Sequence, residues 1–77
     1  MISPQDVEIL RVAIDAYDRA DAECVRLARP DDHGSGERTA RLAGLAAWEA
    51  ARVRALSAIE GAAGTRDLAA ARALIED

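Results

Sequence analysis

Apolar residues recur along the first third of the chain at alternating steps of three and four. Val7, Leu10, Ile14, Tyr17, Cys24 and Ala28 form one line, and Asp21 stands in its middle. At about 100° per residue these positions and Val25 fall within a narrow arc of an α-helix, flanked by Ile9, Ala13, Ala20 and Leu27. Arg11, Asp15, Arg19, Ala22 and Arg26 lie on the opposite side, toward water. A second line, Leu42, Leu45, Val53, Leu56 and Ile59, encloses Glu49 and Arg52. Two helices with such stripes pack lengthwise and bring ionisable groups to their seam.

The punctuation agrees with this pattern. Ser3 is suited to cap a helix that begins at Pro4, and Asp6 favours the positive end of its dipole. From there to about Arg29 neither Gly nor Pro intervenes. The run from Arg29 to Gly36 holds Pro30, Gly34 and Gly36 and breaks the helix, because proline disfavours helical backbone at the residue before it. A second helix is predicted over about 37–61. Gly44, early in it, costs about 1 kcal/mol against Ala unless another helix comes close there. Gly61 to Gly64 end the second helix, and Thr65 with Asp67 can cap a third over about 66–76, its apolar side made by Leu68, Ala71 and Ile75 with Leu74 at the edge. The expected fold is a single all-α domain over 1–77: an antiparallel helical hairpin (about 4–29 and 37–61) plus a short third helix. Around the loop, residues whose numbers total about 67 should face one another, and two hairpins can pair as a four-helix bundle.

Composition makes that pairing useful. The chain has 77 residues, and much of its 51% hydrophobic share is alanine. A fully buried Leu or Ile contributes about 1.5 to 3 kcal/mol, and alanine contributes much less. A single copy therefore has a thin core, and self-association or a partner is the natural remedy. Net charge is −4, with ten basic residues, all arginine. Many charges already have partners three or four places away: Arg11 with Asp15, Asp15 with Arg19, Glu37 with Arg41, and Arg72 with Glu76. The acidic balance disfavours nucleic acid as a ligand, because neutralising phosphate supplies most non-specific affinity. Cys24 is the one cysteine, so no internal disulfide is available, and on the stripe it reads as a small buried hydrophobe. No basic segment leads into an unbroken apolar run, and no stretch approaches the ~18 apolar residues of a membrane span. The expected location is cytoplasmic.

Candidate chemistry is sparse. Tyr17, Asp21, Glu49 and Arg52 fall within about two helical turns of one another in the predicted register. A buried carboxylate needs a partner, so Arg52 should pair with Asp21 or Glu49, with Tyr17 able to donate as well. Carboxylate metal sites in bundles recruit several Glu residues and a Glu-x-x-His step, which this chain lacks; its only histidine, His33, sits in the loop beside Asp31 and Asp32. No metal or cofactor is expected. Ser3, Ser35, Thr39, Ser57 and Thr65 have no histidine placed to activate them, and the glycines follow no strand, so neither nucleophilic catalysis nor a phosphate loop is indicated. The segment through Gly64 into the third helix has the outline of a helix-turn-helix, but Asp67, Glu76 and Asp77 outweigh Arg66 and Arg72 there.

Trp48 borders the second stripe one turn before Arg52, and aromatic and Arg residues are enriched among binding hot spots. The chain reads as a small acidic, non-enzymatic protein–protein interaction module, a homodimer that binds a protein partner through Trp48, Arg52, Glu49, Tyr17 and Asp21. It would act as an accessory regulator or inhibitor. Size and charge alone suggest, by analogy, the small inhibitors of nucleic-acid-handling host enzymes that phage and mobile elements carry. The alternative is a helical-bundle subunit whose Asp21, Glu49 and Arg52 hold a metal or small polar ligand, or a minor DNA-binding regulator.

Overall fold

The computed structural model describes residues 2–29 and 34–76. Pro30 to His33, including the Asp31-Asp32-His33 triplet, lie outside the described residues. Among the described residues the elements are three helices: α1 (Pro4–Leu27), α2 (Ser35–Ala63) and α3 (Leu68–Ile75).

Local chemistry sets the ends. The Ser3 hydroxyl accepts from the Asp6 N–H at 3.1 Å, and Pro4 is the first helical residue. α1 stops at Leu27, two residues earlier than the breaker alone suggests. The Leu27 carbonyl, left without an intrahelical partner, accepts from Arg41 Nη1 at 2.9 Å, so α2 closes the end of α1 with a cation where the helix dipole is negative. α2 runs past Gly61 and ends at Ala63, because Gly64 takes the left-handed conformation, φ 76°, and its N–H returns to the Glu60 carbonyl. Arg66 Nε donates to Glu60 across this turn. Asp67 then caps α3, accepting from the Ala69 and Ala70 N–H groups, while its own N–H donates to Thr65 Oγ1.

α1 and α2 form an antiparallel hairpin. Arg41 and Gly44 both meet Leu27, and Arg52 meets Asp21, so facing residues have numbers that total 68 to 73, up to six residues beyond the expected register. Leu10, Ala13, Ile14, Ile59 and Ala71 make the core, with Ile2, Tyr17, Ala62, Ala63, Leu68 and Ile75 packed against it. This core sits at the end of the hairpin away from the α1–α2 connection. α3 covers one side of that end and leaves the rest of the hairpin two helices thick.

α1 presents the face expected of it, with Leu10, Ile14 and Cys24 buried and Arg11, Asp15, Arg19, Ala22 and Arg26 outside. Val25, 57% exposed, and Ala28, also exposed, depart from the pattern. α2 keeps part of its predicted line, with Ile59 buried and Leu45 and Leu56 partly buried, but it is rotated so that Leu42 (49% exposed) and Val53 (63% exposed) point to water and Ala55, outside the line, is buried. The seam favours alanine because a methyl group lets the two backbones approach closely.

Candidate functional site

Of the two partners expected for Arg52, Asp21 and Glu49, the structure pairs it with Asp21. Arg52 Nη1 donates to Asp21 Oδ1 at 2.8 Å, joining α1 to α2 across the seam. The hydrogen bond to Asp21 raises the Arg52 pKa above its ordinary value, with the nearby Cys24 and Tyr17 adding to the effect. The expectation of enclosed charge is not met. The two side chains remain 33% and 47% exposed, and no polar or charged group among the described residues is buried. A two-helix layer is too thin to exclude water from a long arginine side chain at its edge.

Glu49 is exposed, but it lines the same shallow depression as Arg52, Cys24, Val25, Ala28 and Leu45, an opening of about 300 Å³. Tyr17 is partly buried and packs against the core cluster. Trp48 is partly buried on α2, one turn from Arg52. The ion pair neutralises Asp21 and Arg52 and leaves Glu49 as the outward anion beside an apolar patch. Among the described residues, no group of three or more His, Cys, Asp or Glu side chains is arranged to hold a metal ion. No helix of the described residues is long and apolar enough to cross a membrane.

Two features escape the sequence pattern. The first is the attachment of α3. Arg72, four places from its nearest acidic neighbour Glu76, turns instead to Asp18 and grips it with two bonds of 3.0 and 2.5 Å, while Arg11 Nη2 donates to the Ile75 carbonyl at 3.3 Å. The Arg72 hydrogen bonds lower the Asp18 pKa and raise that of Arg72. These partners are 54 and 64 residues apart, so no local spacing could reveal them.

The second is a groove of about 580 Å³ between α1 and α2, on the side that α3 does not cover. Ile9, Val12 and Ala16 line one wall and Ala51, Ala55 and Ala58 the other, with Glu8 and Arg54 at the rim. Ile9 is 45% and Val12 62% exposed. The flanking position of Ile9 beside the α1 stripe was the one available signal, and Val12 carried none. A comparison with protein-family models, curated proteins and solved structures finds no match to this chain.

Proposed function

We propose that this chain is a non-enzymatic protein–protein interaction module that self-associates and acts as an accessory regulator or inhibitor of a protein partner. One observation carries the reading: where the large apolar side chains go. Ile9, Val12, Val25, Leu42, Val53 and Leu74 stand 42 to 63% exposed, while Leu10 and Ile59 are the largest fully buried side chains. A contiguous apolar patch is a mark of a contact surface, and Ile9 and Val12 share one groove while Val25 borders the depression beside Arg52.

The partner-binding group is Trp48 and Arg52 with Glu49, Tyr17 and Asp21 around them. The Asp21 carboxylate holds the Arg52 guanidinium in place, so less side-chain freedom is lost when the surface is engaged. A net charge of −4 steers the chain toward a basic surface, as found on enzymes that handle nucleic acid. The test is affinity capture with the tagged chain, beside a Trp48→Ala variant that keeps the same helical circular dichroism. A discrete partner retained by the wild type and lost by the variant supports the reading. Equal capture by both removes Trp48 from the contact, and no retained partner at all removes the reading.

A further inference from the structure

We propose that the depression beside Arg52, lined by Val25, Ala28, Leu45 and the exposed Glu49, receives a lysine or arginine side chain of the protein partner. The inference rests on the partner-binding reading and deepens it by naming the chemistry that the partner presents.

Charge around the depression is unbalanced. Arg52, three places after Glu49 on α2, is the cation that helix spacing offers to it, but Arg52 donates to Asp21 instead. The three groups sum to −1, and Glu49 has no hydrogen-bond or ion-pair partner among the described residues. α1 also ends here. Cys24 and Val25 lie in its last turn and Ala28 is its C-cap, so the negative end of the helix dipole adds to the field of Glu49. Of the cations around that end, Arg26 is held by Glu23, Arg41 meets the Leu27 carbonyl, and Arg29 does not line the depression.

Two other openings lack this combination. The groove beside Val12 sets Arg54 against Glu8. The opening between Ile2 and Leu74 holds Asp6, but Asp6 stands in the first turn of α1, where the positive end of the dipole answers it. Glu49 lies midway along α2, with no helix end of its own to answer it.

The wall selects the form of the cation. Val25 is 57% exposed and Leu45 is partly buried, which gives a carbon chain an apolar rest. Lysine and arginine carry a methylene stem beneath a charged head, so one side chain covers the wall while its head meets Glu49. A bare metal ion would leave the wall uncovered, and an acidic side chain would be repelled. An apolar side chain would leave Glu49 unanswered. The net charge of −4 draws a basic segment in from a distance.

The test is a titration of the isotope-labelled full chain with n-butylammonium, a lysine side-chain mimic, followed by amide NMR shifts at constant ionic strength. Butanol and butyrate serve as the neutral and anionic controls. Butylammonium should move the amides of Val25, Ala28, Leu45 and Glu49 along a saturating curve, with butanol binding more weakly and butyrate not at all. Glu49→Gln should weaken butylammonium binding about two- to fivefold, the range of an exposed ion pair, and Glu8→Gln should leave it unchanged. Shifts spread evenly over all the acidic residues, equal binding of butanol, or indifference to Glu49→Gln would each overturn the proposal. If that happens while the Trp48 capture experiment still retains a partner, the partner-binding reading stands without this contact. A depression that selects butylammonium in a chain that captures no partner overturns that reading and leaves only a cation site.

Discussion

Arg52 and Asp21 sit 31 residues apart in sequence and 2.8 Å apart in space, and each keeps part of its side chain in water. The bond ties α1 to α2 without enclosing a charge. Partial exposure leaves both groups hydrated and screened by salt, so the link fixes register more than it stabilises. Arg52→Ala should lower the melting temperature only slightly, and by less as salt is added. A loss as large as that of a core truncation would show that the pair is shut off from water.

The Asp18–Arg72 pair makes the seating of α3 sensitive to acid. Its folded-state carboxyl has a depressed pKa, so its stabilising effect is present above the ordinary carboxylate pKa of about 3.9 and is lost as pH falls through the lower folded value. With the Asp18 side chain 49% exposed, the contribution is discounted to that of a surface pair, about 0.2 to 1 kcal/mol. Amide protection in α3, corrected for the intrinsic pH dependence of exchange, should fall below about pH 4, earlier than in α1. Asp18→Asn should remove the pH dependence, and an unchanged acid response in that variant would place its origin elsewhere.

Ile59 is fully buried in the core, so Ile59→Ala should cost about 2 to 5 kcal/mol by urea denaturation. Val53, 63% exposed on the same helix, should cost no more than about 0.5 kcal/mol when changed to Ala. Similar losses at the two positions would contradict the observed rotation of α2.

Two glycines of α2 should respond with opposite sign. A methyl group at Gly44 would meet only the tip of Leu27, Cδ1, at 3.4 Å, an ordinary contact. Gly44→Ala should therefore stabilise by up to about 1 kcal/mol through helix propensity. Gly64 holds φ 76°, and Gly64→Ala should destabilise by about 1 to 2 kcal/mol, because a side chain there crowds the following carbonyl. Thermal melts of the two variants, run side by side, check both signs.

The α1 stripe was legible because its apolar residues are large, few and opposed by arginine and aspartate, so one rotation of the helix buries them best. Caps were legible for the same local reason: Ser3, Asp67 and the left-handed glycine act on backbone groups within four residues. The α2 face was not. Alanine surrounds much of that helix, so apolar character hardly distinguishes one side from another. Leu42 and Val53 looked like part of one seam with Ile59, but packing turned the helix so that Ala55 is buried beside Ile59 in their place.

The order, type and approximate length of the helices follow from residue chemistry and spacing, which also narrowed the partner of Arg52 to Asp21 or Glu49. Tertiary packing alone decided the rotation of α2, the hold of Arg72 and Arg11 on the far ends of the chain, and the groove left open beside Val12. Those outcomes depend on how closely two backbones can approach and which surface a third helix covers first. Both are properties of shapes in contact, which a pattern of polarity along one chain does not encode.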